Sequence, residues 1–369
     1  MVVVEAPGTQ YAETADGVHV AYQVVGAGPV DLVFLMPGIL PIEVVWEDDS
    51  AGRFFTRLGS FSRLLLFDAR GGGASDVGSL FTFETYMDDV SAVLDAADAQ
   101  RVVLVGFGEV GPIATMFAAT YPDRTLSLVL INSCARWARD VDYPWGAPPQ
   151  WAARVIDQLF ARWGTGVTGD ASPSMAGIES FRRWAGRCER VCGGPRASVD
   201  ALRHSFSRDV RPVLSSVRVP TLVLHRSGDQ LLPVGHGRYL AEHILGAKYV
   251  EFVGADHHFF VGDQDAILDE IEEFITGAPP TRQPDRMLST VLFTDIVDST
   301  DRAARAGDKD WLRLLDRHDA IVAHELDRHR GRKFNPTGDG VLATFDGLAR
   351  AIRCACAIRD PRRRQETRA

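Results

Sequence analysis

Through its first 276 residues the chain alternates short, nearly continuous apolar runs with longer stretches of helical periodicity, and this alternation restricts the fold more than any other feature. Asp31–Leu35, Arg63–Phe67, Arg101–Val105, Leu126–Ile131, Thr221–His225 and Lys248–Val253 read as strands buried on both faces. Helical patterns separate most of them, near Tyr86–Ala97, Val110–Thr120 and Gly235–Ile244, and Ala266–Ile275 closes the series. The pattern predicts a mostly parallel sheet with helices on both sides. His19–Val24 and its upstream neighbour are expected to add antiparallel edge strands.

One segment interrupts the alternation. No strand pattern recurs between Ala135 and Arg211, and five of the seven tryptophans fall there: Trp137, Trp145, Trp151, Trp163 and Trp184. The favoured reading is a helical lid whose aromatic residues wall an apolar pocket. The other is an insertion whose tryptophans fill only its own small core.

Charge separates a second part. Residues 281–369 hold 18 Lys and Arg against 14 Asp and Glu, whereas the preceding residues hold 22 against 35. The basic excess is too modest for a nucleic-acid arm. Residues 277–286, with adjacent prolines, read as a stiff linker between residues 1–276 and a new pattern over 287–359, followed by a basic tail at 360–369. No apolar run approaches the ~18 residues of a membrane span. The start lacks a basic region followed by an apolar stretch, so no secretory signal is expected. Five cysteines, an odd number, do not make a disulfide framework; Cys188 and Cys192 are expected to be free core thiols. These features point to the cytoplasm.

In an open parallel sheet, ligands bind beyond the carboxyl ends of the strands. Three such ends carry polar or glycine-rich turns: Gly106-Phe107-Gly108-Glu109-Val110-Gly111, then Gly228-Asp229, then Gly254-Ala255-Asp256-His257. With Pro37-Gly38 after the first central strand and Asp68 to Asp76 after the second, the stretch from about Tyr11 to Gly277 resembles the α/β-hydrolase superfamily, whose catalytic residues follow this chain order. The resemblance implies that Asp229 orients the His257 imidazole and that the backbone N–H groups of Ile39 and Glu109 form an oxyanion hole. It also marks a departure. Where the family has G-x-S-x-G, this chain has Gly108 at the nucleophile position and Val110 at the second glycine, and Val110 is expected to crowd the turn. Ser133 and Cys134 are displaced from the turn; His225 reads as a core histidine and His258 as a neighbour.

The second part carries Phe293-Thr294-Asp295-Ile296-Val297-Asp298-Ser299-Thr300, a helical stretch from about Asp308 to Arg328, and a strand–turn–strand around Gly338-Asp339-Gly340. Pairing these strands with Leu288–Thr294 would bring Asp295 and Asp339 together, a donor set suited to Mg²⁺. This part resembles class III adenylyl/guanylyl cyclases, and the whole chain resembles bacterial fusions of the two families. The resemblance implies a partial α+β, ferredoxin-like cyclase domain. It places Mg²⁺ or Mn²⁺ on Asp295, Asp339 and the Ile296 carbonyl, and ATP along Asp298, Ser299, Thr300 and Asn335. It also implies homodimers or heterodimers through this domain. The family pattern ends near Arg359, so the later half of a cyclase is not in this sequence.

Three functions are therefore set against one another. The first is a signalling protein whose hydrolase-like domain binds an apolar small molecule and whose cyclase part is impaired. The second is a hydrolase using His257 and Asp229, with the C-terminal part as passenger. The third is an interaction protein that lends its metal carboxylates to an intact cyclase.

Overall fold

The computed structural model describes residues 6–77, 82–280, 290–294, 296–333, 341–345 and 347–359. The chain divides into two compact units, Met1–Thr281 and Arg282–Ala369.

The first unit contains strands β1 (Gln10–Glu13), β2 (His19–Val25) and β3 (Asp31–Leu35), helix α1 (Asp49–Phe61), β4 (Arg63–Phe67), α2 (Phe83–Ala96), β5 (Val102–Phe107), α3 (Gly111–Thr120) and β6 (Thr125–Ile131). The inserted segment follows with α4 (Pro149–Arg162), α5 (Glu179–Cys192) and α6 (Pro195–Ser207). Strand β7 (Thr221–Arg226), α7 (Gly235–His243), β8 (Lys248–Phe252) and α8 (Gln264–Thr276) complete the unit. Side-chain caps start the helices that flank the sheet: Asp48 accepts from the Ser50 and Ala51 N–H groups at α1, and Asp263 from Ala266 at α8.

The eight strands form one sheet in the order β1-β2-β4-β3-β5-β6-β7-β8. Pairing is parallel from β4 to β8, while β1 and β2 run antiparallel at one edge, as the sequence pattern predicts. Successive residues of β5 enter opposite faces. Val103, Val105 and Phe107 join Phe54 and Phe55 of α1 and Leu268 of α8, whereas Val102 and Leu104 join Val90 of α2, Ile113 of α3 and Leu240 of α7. Each fully buried aliphatic side chain stabilises the fold by about 1.5–3 kcal/mol. Strand β8 departs from expectation. It is an outer strand, only partly covered, with Lys248 and Glu251 exposed, so its apolar pattern did not signal burial on both faces.

The strand order reverses between β3 and β5, which are neighbours in the sheet although β4 lies between them in sequence. The loops leaving these two strands therefore diverge, opening a crevice at their carboxyl ends.

The second unit contains a three-stranded antiparallel sheet in the order β10-β11-β9, from β9 (Thr290–Thr294), β10 (Arg332–Lys333) and β11 (Val341–Phe345). Its helices are α9 (Ser299–Ala306), α10 (Asp308–Arg328) and α11 (Leu348–Arg359). Val322 and Leu326 of α10, Val341 and Phe345 of β11 and Cys354 of α11 form its core.

Candidate functional site

The turn from β5 into α3 sets the site. Strand and helix approach closely because both lack side chains where they touch: a Cβ on Gly106 would lie 2.7 Å from Gly111 Cα, while one on Gly111 would collide with Ser133 Oγ, past β6, at 1.7 Å. Between them Gly108 has φ +58°, the left-handed region that glycine enters at least cost. The expectation for Val110 is corrected here. It does not crowd the turn, because its side chain is buried in the core beside Ile113 and Ala114, and the close approach falls to Gly111 one position later.

The other two strand ends converge on Gly108. Asp229, after β7, is buried; its Oδ1 accepts the N–H groups of Leu231 (2.9 Å) and Leu232 (3.1 Å). Its Oδ2 accepts from His257 Nδ1 at 2.7 Å. Burial opposes the charge on Asp229, but the His257 imidazole and the Leu232 N–H outweigh it and hold the carboxyl below its ordinary range. With Nδ1–H committed to the carboxylate, the other ring nitrogen faces the turn from β5 into α3, the elbow of the site. A Cβ on Gly108 would stand 3.1 Å from His257 Nε2. The imidazole also packs against Phe107, 4.7 Å between ring centres.

Two residues that the sequence reading did not single out hold this loop. Asn132, just past β6, donates to the His257 carbonyl (2.7 Å) and accepts the Arg226 N–H (2.9 Å). The buried Arg226 guanidinium donates to the carbonyls of Asp256 (2.8 Å), His258 (2.9 Å) and Val261 (2.5 Å). Their only sequence signal is a polar residue at the end of an apolar strand pattern.

Ile39 and Glu109 line one wall of a cavity of about 110 Å³, with Tyr86, Trp163, Leu202 and Arg208 on the others. The Ile39 N–H donates to no group among the described residues. Glu109 shares this cavity; desolvation pushes its carboxyl above the ordinary value although His257 and Arg208 act in the opposite direction. Behind the loop that follows β4, Arg70 donates from Nε and Nη2 to Asp89 Oδ1 (2.9 and 2.6 Å). In the same loop Asp68 accepts the Ile42 and Ala74 N–H groups, and burial pushes its carboxyl up to about 7.

The tryptophan-walled pocket is corrected. Of the five tryptophans in the inserted segment, Trp163 lines the cavity. Trp137 stacks on Phe206, Trp151 packs beside it, Trp145 meets Tyr143 and Tyr239, and Trp184 joins the main core. The segment does cover the crevice, but chiefly with aliphatic and small residues of α4 and α6.

The other polar residues near the strand ends are already engaged. Ser133 Oγ donates to the Gly108 carbonyl at 3.0 Å, and burial pushes the Cys134 thiol far up, so neither presents a nucleophile. His225 lies in the core with Nε2 2.7 Å from the Leu232 carbonyl, and His258 pairs with Ser172 Oγ at 2.8 Å while burial lowers its pKa to about 3. Cys188 and Cys192 are free and buried.

In the second unit, Asp295, Asn335, Asp339 and the side chain of Thr300 lie outside the described residues, as do the 338–340 turn and the 360–369 tail. Thr294 is registered opposite Val341, next in sequence to Asp295 and Gly340 respectively. The Ile296 carbonyl accepts the Ser299 N–H at 3.2 Å, and Asp298, exposed at φ +56°, precedes α9. Among the described residues no cluster of three or more His, Cys, Asp or Glu side chains is placed to hold a metal. No helix among them is long and apolar enough to cross a membrane.

Comparison with known proteins agrees with the first unit's architecture. Residues 62–264 match the family model described as alpha/beta hydrolase fold. A probable esterase of Oryza sativa subsp. japonica is 24% identical over 247 residues, 64% of this chain and 88% of that protein. The pimeloyl-[acyl-carrier protein] methyl ester esterase of Neisseria meningitidis is 27% identical over 228 residues, 57% and 82% of the respective lengths. Among solved structures, a hydrolase from Pseudomonas aeruginosa superposes with a TM-score of 0.62 at 24% identity, covering 74% of this chain and all (100%) of that one. At that identity the superposition speaks for the fold alone.

Proposed function

From the premise that the chain belongs to the α/β-hydrolase family, we propose that its first unit is a ligand-binding relative of the esterases rather than a covalent catalyst. One observation carries the reading. The Asp229–His257 pair is assembled at 2.7 Å, and it faces a residue whose missing Cβ would stand 3.1 Å from Nε2. Imidazole and carboxylate are paired beside a turn whose central residue carries no oxygen, and the Ile39 N–H, one of the two candidate oxyanion donors, has no partner among the described residues. A triad without its serine forfeits on the order of 10⁶ in turnover. The unpartnered Ile39 N–H and the aliphatic residues of the cavity support retention of a small carbonyl compound.

The same geometry favours a second reading. The space left at Gly108 lies beside an imidazole nitrogen oriented to accept a proton, so a water there is open to general-base activation. Such catalysis contributes roughly 10²–10⁴ by itself. Hydrolysis of short-chain aryl esters separates the two. The binding reading expects wild-type rates at background and unchanged in His257→Ala; rapid turnover abolished by His257→Ala would establish the second and end the first.

For the second unit we propose a class III cyclase-type segment in which Asp295, Asp339 and the Ile296 carbonyl hold Mg²⁺ or Mn²⁺, and Asp298, Ser299, Thr300 and Asn335 adjoin bound ATP. The antiparallel pairing of β9 with β11 supports the reading, because it registers the residues beside Asp295 and Gly340. The divalent ion would supply charge neutralisation at a triphosphate. Phe293, 77% exposed on outer strand β9, supports association through this unit. Binding of Mn²⁺–ATP lost in Asp295→Asn, without cyclic nucleotide formation by the wild type, is the expected result. Binding unaffected by that substitution would refute it.

A further inference from the structure

Three guanidinium groups are buried among the described residues, and one is unlike the others. Arg70, 3% exposed, is held by Asp89 and Asp16. Arg226, 4% exposed, is enclosed by backbone carbonyls. Arg208, 7% exposed at the end of α6, has only Nη1 engaged, donating to Ser205 Oγ at 3.1 Å and to the Glu109 carbonyl at 3.3 Å. Its Nε is shielded from solvent and has no partner. Among the described residues no carboxylate lies within ion-pairing distance of it.

Arg208 also lines the cavity that Ile39, Glu109 and Val110 border, and its Nη2 makes no hydrogen bond among the described residues. A buried cation without an anion is costly, by several kcal/mol in ordinary cases. Guanidinium presents five N–H donors in a planar fork that matches the two oxygens of a carboxylate. The lid side of the wall is largely aliphatic, with Leu159, Val199 and Leu202 beside Ser198 and Ser205, and the volume of about 110 Å³ suits a short chain.

We propose that this cavity binds a small aliphatic monocarboxylate, its anionic end paired with Arg208 and its alkyl chain against the lid residues. The inference rests on the ligand-binding reading of the first unit and specifies the ligand's charge. Glu109 borders the same cavity; desolvation raises its carboxyl above the ordinary value, against the opposing influence of His257 and Arg208. Tyr86 and Ser205 contribute no second cation; their hydroxyls already donate to the carbonyls of Met36 (3.2 Å) and Ala201 (3.2 Å). Recognition of charge therefore falls to Arg208.

Calorimetric titration of the full chain with butanoate and with butanamide tests this on the wild type itself, without depending on a variant's folding. Butanoate is expected to bind at least about tenfold more tightly, because a charge-assisted fork is exchanged for neutral hydrogen bonds. Arg208→Met is expected to abolish the preference and Arg208→Lys to retain part of it. Equal binding of acid and amide, no binding of either, or a preference that survives in a folded Arg208→Met would overturn the proposal. Equal binding that is lost in Leu202→Trp would do so while leaving the ligand-binding reading intact. Rapid His257-dependent ester hydrolysis would instead remove that reading.

Discussion

Gly108→Ser is expected to raise hydrolysis of short-chain aryl esters by on the order of 10³-fold or more, with the gain lost again in Gly108→Ser/His257→Ala. The added Cβ would enter 3.1 Å from His257 Nε2, so its hydroxyl lies within hydrogen-bond reach after the ring gives by a few tenths of an ångström. Asp229 already fixes the ring from the other side at 2.7 Å. The expected gain is smaller than the on-the-order-of 10⁶ associated with a complete triad, because the surrounding site has not been fitted to a serine. A serine at φ +58° also costs roughly 1–3 kcal/mol of backbone strain, so the variant is expected to melt earlier than the wild type even as it gains activity. Loss of stability with gain of rate is a combination that a merely structural substitution would not produce. The measurement is the aryl-ester rate at matched folded fraction, with the unfolding midpoint recorded alongside.

The second large effect concerns the loop that follows β4, of which Ala69 lines the cavity. Asp89→Ala is expected to destabilise the first unit by about 3–5 kcal/mol, because it strands the Arg70 guanidinium in the core. Arg70 is 3% exposed, and Asp89 meets it with two short contacts from Nε and Nη2. The remaining partner, Asp16, lies at the surface and does not replace a buried counterion. For a unit of this size the loss corresponds to a fall of roughly 10 °C in the unfolding midpoint, measured by calorimetry. Asp16→Ala, which removes only the exposed partner, is expected to shift the midpoint far less. Similar losses in the two variants would show that the buried pair does not anchor the loop.

Much of the first unit was legible because its signals are local. An apolar run followed by a glycine-rich or polar turn marks a strand end, and the order of Gly108, Asp229 and His257 needs no knowledge of distant contacts. What escaped the sequence reading was set by packing between distant residues. Arg208 meets the Glu109 carbonyl across 99 residues and Arg70 meets Asp89 across 19. Neither pair has a periodicity that announces it. The tryptophans misled for a related reason: aromatic content in an inserted segment does not tell which indoles face a cavity and which brace the insertion. Val110 shows the opposite limit, since the expected small residue is present, but at Gly111, where the helix touches β5. In the second unit, helix α10 and the β9–β11 pairing follow the sequence pattern, whereas the metal carboxylates themselves fall outside the described residues.

Reaction with a fluorophosphonate tests the central claim most directly, since the reagent reports an activated oxygen whatever the natural ligand is. The wild-type chain is predicted to show no adduct on the peptide spanning β5 and α3, while Gly108→Ser is labelled at residue 108. Stoichiometric labelling of the wild type, abolished in His257→Ala, would contradict the account by revealing a nucleophile that the elbow is held to lack.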